Sequence, residues 1–459
     1  MIAELSHPST SASTLADLIA AERARFLAEH PRSVAMAKAA SAVWRGGVPM
    51  HWMGDWACPS PIFAVQGVGA QITDVDGKLY DDFCLGDTPS MFGHGDASVA
   101  AAVADQTKRG AGFMLPTASA VIVGKLLAER FGQPLWQAAT TASDANRAAI
   151  RWARAVTQRP VILVFDGCYH GMVEDAFVVL KGGAPAMKPG LLGQVQDLTA
   201  TTRVVPFNDL AALEAALAPG DVAAVLAEPV MTNCGMILPD PGFHDALRQL
   251  TRDAGTLLII DETHTISTGP GGYIKAHGLE PDVFVLGKAV AGGVPAAVWG
   301  VTAELSARMD EAQARIGPGQ SGIGTTLSGN ALAMAAMRAM LSEVMTEAAY
   351  ARMLAGAERL VAGLRGVIAE RGLAWSVVHV GARVELVFAG SPPRDAASMR
   401  KVLDHEPVEA LHLWLINRGV LIAPFHNMML VSPVTEDAAI DRLVAAVDAF
   451  AVAVRELHA

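Results

Sequence analysis

Several apolar runs in this chain end on groups that can do chemistry. Residues 161–165 (VILVF) are followed by Asp166-Gly167-Cys168-Tyr169-His170-Gly171, and residues 222–227 (VAAVLA) by Glu228-Pro229. Residues 256–260 (TLLII) lead into Asp261-Glu262-Thr263-His264-Thr265, and residues 283–286 (VFVL) into Gly287-Lys288. A lysine this close behind a buried run is unusual, because lysine side chains are seldom buried unless paired or used. The plain reading of Lys288 is an amine snorkelling from a strand end. The chemical reading is a desolvated amine that condenses with a carbonyl as a Schiff base. An aspartate ending another strand can hold a pyridine nitrogen protonated and make the ring an electron sink. Together these two groups are what a protein contributes to pyridoxal phosphate chemistry. That cofactor also needs an anion site. Thr140-Thr141-Ala142-Ser143-Asp144 opens a helical pattern, where small hydroxyl residues offer hydroxyls and free backbone N–H groups to a phosphate. Taken alone, the same segment is an ordinary helix cap.

Groups so far apart in sequence need a frame that brings them together. The runs are continuously apolar rather than alternating, as strands covered on both faces are, and residues 296–301 (AAVWGV) add another. Helical patterns at 144–158 and 241–254 separate several of them. Strand–helix alternation of this kind predicts a mostly parallel sheet with helices on both faces. Ligands of such sheets bind beyond the carboxyl ends of the strands. Tyr169, His170, Glu228, Asp261 and Lys288 are therefore expected on one edge. Residues 330–366 read as helical, linking to a C-terminal portion with strands at 375–380 and 383–388 and a closing helix at 436–456. Residues 44–63 mix Gly, Pro and Trp, and read as an irregular, partly buried arm or as a pocket wall. The fold class is α/β. Residues 1–90 are read as an arm and part of a small domain, 91–335 as the large domain, and 336–459 as the rest of the small one.

Composition narrows the class further. The 459 residues are 52% hydrophobic and 18% charged, with a formal net charge of -11. A chain of this length can bury a sizeable core without staples. The acidic balance argues against nucleic-acid or anionic-membrane partners, which need a basic surface. No run of about 18 apolar residues is free of charge, Gly or Pro, so no membrane span is expected. Met1 to Thr14 carry neither a basic n-region nor an apolar h-region, and no secretory signal is read there. Cys58, Cys84, Cys168 and Cys234 are scattered, as in a reduced, cytoplasmic protein.

The order of these motifs resembles class III (fold type I) pyridoxal-phosphate aminotransferases, especially the branch containing glutamate-1-semialdehyde aminomutase. The likeness rests on Asp74-Val75-Asp76-Gly77-Lys78-Leu79-Tyr80-Asp81-Asp82, Gly93-His94, Tyr169-His170-Gly171, Glu228-Pro229, Asp261-Glu262, Gly287-Lys288 and Thr326-Leu327-Ser328-Gly329-Asn330. It implies a large domain with a mostly parallel, seven-stranded type of sheet and a small α/β domain. It also implies pyridoxal 5'-phosphate bound to Lys288, Asp261 against the pyridine nitrogen, and Tyr169 stacked on the ring with His170 shaping the same wall. Glu228 and Thr263 fall among the cofactor-binding positions, and Ala142 and Ser143 at the phosphate positions. Thr326 is expected to reach the phosphate of a neighbouring subunit, which makes the enzyme a homodimer.

The sequence departs from the family in several places. The phosphate loop has Ala142 where the family has glycine, and Thr263 stands where a valine packs on the ring. The substrate side differs more. The aminomutase's carboxylate-binding arginine is missing from Gly46-Gly47-Val48-Pro49-Met50-His51-Trp52-Met53, and Asp87 takes the place of a tryptophan. A second arginine used by some relatives is missing from Pro424-Phe425-His426-Asn427-Met428. Arginine holds carboxylates best, so the pattern favours a less charged amine or an apolar amino acid. The pocket residues read on this side are Trp52, Trp56, Asp87, Phe92, Phe425 and His426, with Arg383 or His426 as a remaining cation. The expected reaction moves an amino group from an amine or amino acid to a keto acid or aldehyde in two half-reactions. Lys288 serves as base and acid for the proton shift. Intramolecular amino transfer and racemisation or epimerisation are the alternatives. Gly317-Pro318-Gly319-Gln320-Ser321-Gly322 matches a dinucleotide fingerprint in letters only, since it follows a helix rather than a strand. No metal-ligand spacing is present.

Overall fold

The computed structural model describes residues 14–457. Met1–Ser13, nearly all of the stretch read for a secretory signal, lie outside the described residues. The apolar runs become the centre of a seven-stranded sheet: β1 (Leu135–Ala139), β2 (Val161–Phe165), β3 (Thr202–Val205), β4 (Val222–Ala227), β5 (Leu257–Asp261), β6 (Val283–Leu286) and β7 (Ala297–Val301). Their order across the sheet is β1-β7-β6-β5-β4-β2-β3. Neighbours from β6 to β3 pair in parallel, whereas β7 runs antiparallel to both β6 and β1. Every residue of β2, β4, β5, β6 and β7 is buried. That explains why these runs are continuously apolar: helices cover both faces.

The reversal of β7 matters for the site. Parallel strands deliver their carboxyl ends to one edge, and an antiparallel neighbour delivers its beginning there. Gly293–Ala296 thus join the ends of β2, β4, β5 and β6. The helix after β1, α1 (Ala142–Thr157), starts at the same edge. Its Thr141 cap and Asp144 form a reciprocal capping box, with Thr141 Oγ1 accepting from Asp144 N at 3.2 Å and Asp144 Oδ2 accepting from Thr141 N at 3.2 Å.

A second core lies between the helices Leu15–Glu29, Glu347–Arg371, His405–Ile416 and Asp437–Glu456. There Val420–Leu421 pairs in parallel with Leu79–Asp82, tying an early part of the chain to a late one. A three-stranded antiparallel sheet has Arg383–Val387 at its middle. It docks on the large sheet's loops through Ala382 N to Ser267 O, 3.1 Å.

Two expectations are sharpened by the structure. Residues 330–366 are helical with one break: Ala331–Ala339 runs into a π turn at Met340–Val344, and a new helix starts at Glu347. Thr346 caps it by accepting from Ala349 N at 3.1 Å, so the break has its own sequence signal. The arm at 44–63 forms 3-10 turns at Arg45–Gly47 and His51–Gly54; its first part is largely exposed, Trp44 at 51%, whereas Trp56, Ala57, Cys58 and Ile62 pack partly buried against the core. The glycine-rich stretch 317–322 is a loop following the helix Ala303–Ile316. The four cysteines are free thiols. Among the described residues, no helix is long and apolar enough to cross a membrane.

Candidate active site

A cavity of about 470 Å³ opens at the carboxyl edge of the large sheet. Asp261, Thr263 and Lys288 line it together with Glu228, Tyr169 and His170, and Thr140–Ser143 form one end. The strand ends thus meet the start of α1, although Lys288 and Ala142 are far apart in sequence.

Asp261 lies on the floor and is held by three hydrogen-bond partners. Its Oδ2 accepts from Asn146 Nδ2 at 2.8 Å and pairs with His170 Nδ1 at 3.0 Å, and its Oδ1 accepts from Thr263 N at 3.1 Å. Burial alone would raise its pKa, but the hydrogen bonds and charge of His170, with Thr263 and Asn146, hold it at about 2. Burial likewise works against a charge on His170, but Asp261, with Cys168, overrides it and lifts the imidazole to about 10. His170 is therefore more than a wall: it is the cation that keeps Asp261 ionised. Glu228 is buried beside them and accepts from Thr232 Oγ1 at 2.5 Å and Thr232 N at 3.2 Å.

The phosphate end differs from expectation in a useful way. Ala142 is the first residue of α1, where alanine fits without strain, so the missing glycine costs the loop nothing. The space is conceded elsewhere. A Cβ on Gly287 would stand 2.9 Å from Ala142 Cβ. Gly171, at φ +80°, lies so close that its Cβ would sit 1.9 Å from Ser143 Oγ. Ser143 Oγ accepts from Met172 N at 3.0 Å, leaving its own proton to give.

Lys288 has a left-handed backbone, φ 47°, and its Nζ donates to Asp87 Oδ2 at 2.6 Å and to His264 Nε2 at 2.8 Å. Burial and the charge of Lys288 hold the His264 imidazole well below its usual range, so it stays neutral and accepts. Its Nδ1 faces Thr88 Oγ1 at 3.2 Å. Thr88 Oγ1 also accepts from Arg383 Nη2, and Arg383 Nε donates to His264 O at 3.0 Å. Asp87 belongs to a run with positive φ: Leu85 at 48°, Gly86 at 63°, Asp87 at 59° and Thr88 at 104°. Asp82, ending the strand Leu79–Asp82, anchors that run by accepting from Cys84 N at 2.8 Å and Leu85 N at 2.9 Å.

Not every residue read from the sequence reaches this cavity. Trp52 does, but Trp56 packs between the two cores, and Phe92 is buried edge-on to Tyr350, ring centroids 5.4 Å apart. Phe92 follows the left-handed run and turns inward, so it is core rather than pocket. His426 is largely buried behind Arg383, its Nδ1 2.7 Å from Glu385 Oε2. Phe425 is 54% exposed and lies outside the cavity lining. Thr326 is exposed, while its neighbours Thr325 and Ser328 reach Thr140 Oγ1 at 3.1 and 3.4 Å.

Comparison with known proteins agrees with this geometry. The family model described as aminotransferase class-III matches residues 53–450. The chain belongs to the class-III aminotransferases. Members of this family are pyridoxal-phosphate-dependent enzymes, and so is this chain. A glutamate-1-semialdehyde 2,1-aminomutase from Roseiflexus castenholzii is 35% identical over 394 residues, 84% of this chain and 89% of the relative. The structure of a glutamate-1-semialdehyde-aminomutase from Pseudomonas aeruginosa PAO1 matches with a TM-score of 0.93 at 46% identity, covering 96% of this chain and 98% of that one. An omega-transaminase from Sphaerobacter thermophilus matches at 0.85 and 29% identity, covering 94% and 100%. This class-III chain thus has the fold type I architecture that the motif order implied.

Sequence reading missed two participants. Asn146 occupies the buried face of α1 among Ala145, Ala148, Ala149 and Ile150. An amide on an otherwise apolar stripe was a signal that something buried needs a hydrogen bond. His264 carried no such signal, because its contact with Lys288 depends on how two neighbouring strand ends turn.

Proposed function

We infer that this class-III enzyme moves an amino group between an amine and a carbonyl compound, with Lys288 as the residue that bonds the cofactor. The observation that carries the reading is one cavity lined by a lysine, an aspartate held ionised by His170 and the N-terminus of a helix. The donor set fits pyridoxal 5'-phosphate. The first N–H groups of α1 and the hydroxyls of Thr141 and Ser143 suit a phosphate, and Asp261 suits a protonated ring nitrogen. Tyr169 and Thr263 line the same cavity and suit the ring's two faces. When bound, the cofactor supplies an aldehyde carbon for amines and a ring that accepts electrons. Lys288 then takes a proton from one carbon and returns it to another, as a general base and acid. Asp261, kept anionic by His170, holds the ring nitrogen's proton throughout.

The reading with a separate donor and acceptor, an amine or amino acid and a keto acid or aldehyde, is supported by the lining. Among the described residues it holds no arginine for a glutamate-derived carboxylate. Intramolecular transfer is the second reading, favoured by the aminomutase relatives; a lysine-to-alanine variant of the Pseudomonas protein has been solved in complex with PMP. We place Thr326, with the exposed Met114 and Leu115, against a second copy, giving a homodimer whose sites are shared. Borohydride reduction of the yellow protein should fix the cofactor on Lys288, and Lys288→Ala should lower amino transfer by about a thousandfold or more. A colourless protein, or label on another residue, would overturn the assignment. A transaminase stops without a carbonyl acceptor, whereas a mutase does not.

A further inference from the structure

Asp87 is an unusual neighbour for a reacting lysine, and the backbone is strained to put it there. Three non-glycine residues, Leu85, Asp87 and Thr88, adopt positive φ in succession around Gly86. Such conformations persist where the surrounding structure enforces them, and they cluster at functional sites. The Asp82 anchors and the Arg383–Thr88 bond supply that enforcement here. The result is a carboxylate whose one direct cationic partner among the described residues is the Lys288 amine, at 2.6 Å. The next cation is Arg383, whose Nη1 lies 4.0 Å from Asp87 Oδ1 and donates to Met428 Sδ at 3.2 Å, while its Nε and Nη2 are given to His264 O and Thr88 Oγ1. Arg383 is 1% exposed and cannot meet a substrate carboxylate directly. His426 pairs with Glu385 behind it, and His264 is neutral.

When the Lys288 nitrogen is bonded to the cofactor, Asp87 loses the ammonium it now holds, beside the place where an incoming amine must arrive. We propose that Asp87 is a specificity residue: it receives the substrate's ammonium group in place of that of Lys288, and it repels a carboxylate on the carbon bearing that nitrogen. The substrate class is then an amine without an adjacent carboxylate; a carboxylate several bonds away lies clear of Asp87. This rests on the amino-transfer reading above, and a carboxylate facing a carboxylate is the kind of like-charge contact by which sites reject wrong partners.

The test uses the holoenzyme and one half-reaction, followed by the visible spectrum of the bound cofactor, so no acceptor has to be known. Matched pairs are mixed with it: phenethylamine against phenylalanine, putrescine against ornithine, ethylamine against alanine. The native protein should favour the amine of at least one pair by about tenfold or more in kcat/KM, mainly through KM. Asp87→Asn and Asp87→Gly both tolerate the left-handed backbone, and glycine does so without strain. Each should shrink that preference by about tenfold. A preference for the amino acids, an unchanged ratio in both variants, or indifference to every amine overturns the proposal. A colourless native protein overturns the amino-transfer reading as well, whereas a yellow one labelled on Lys288 with an unchanged ratio overturns only the role of Asp87.

Discussion

His170 and His264 are buried at the same sheet edge, 1% and 7% exposed, yet one is cationic and the other neutral. His170 stands against an ionised carboxylate at 3.0 Å and is raised to about 10. His264 meets an ammonium at 2.8 Å and is held well below its usual range. Burial disfavours the charged form of both, so burial does not explain the difference; the charge of the nearest partner does. The division follows the site's two tasks. The floor needs a fixed negative charge, carried by Asp261 and kept there by the His170 cation. The substrate side needs a neutral acceptor that orients Lys288 without competing for Asp87.

Removing the shared carboxylate should break the contrast most severely. Asp261→Asn leaves His170 buried without its counter-ion, so its imidazole should fall from about 10. Breaking a buried pair costs about 3–5 kcal/mol, readable in the denaturant midpoint, with amino transfer lost as the electron sink weakens. His170→Gln is the milder half of that experiment. It should cost about 2–3 kcal/mol, raise the Asp261 carboxyl from about 2, and move the acid limb of the pH–rate profile upward. The stability difference between native protein and His170→Gln should itself depend on pH. On the Asp261 side it is present above the unfolded carboxyl value near 4 and lost as pH falls through about 2. On the His170 side it is complete below the unfolded imidazole value near 6.5 and lost as pH rises through about 10. Melting temperatures across that range would test it; a flat difference would remove the ion pair from the account. His264→Gln should have the smallest effect, within about 1 kcal/mol, because the amide oxygen can still accept from Lys288. A loss as large as that of His170→Gln would mean that His264 is charged after all.

These contrasts also mark how far the sequence could be read. Continuous apolar runs announced their burial, and their following residues announced the edge, because a parallel sheet collects what stands after each strand. That logic gave Asp261, Lys288 and Tyr169 to one cavity. It could not give strand order or the reversal of β7, which delivers Gly293–Ala296 to the same place. Nor could it separate Asp87 from Phe92. Both lie near one turn, and only the left-handed run sends the first toward Lys288 and the second into the core. The charge of His170 depended on a partner 91 positions away, a distance no local pattern encodes.

The approach of Gly287 to Ala142 carries one more consequence. The gap between the strand end and the helix start has room for one methyl group, and here the helix holds it. Gly287→Ala alone should crowd the wall, while the same change made with Ala142→Gly hands the methyl across and should recover much of the loss. The two positions behave as a single site with two possible addresses, linked by volume rather than by charge, so their substitutions should be non-additive although 145 positions separate them.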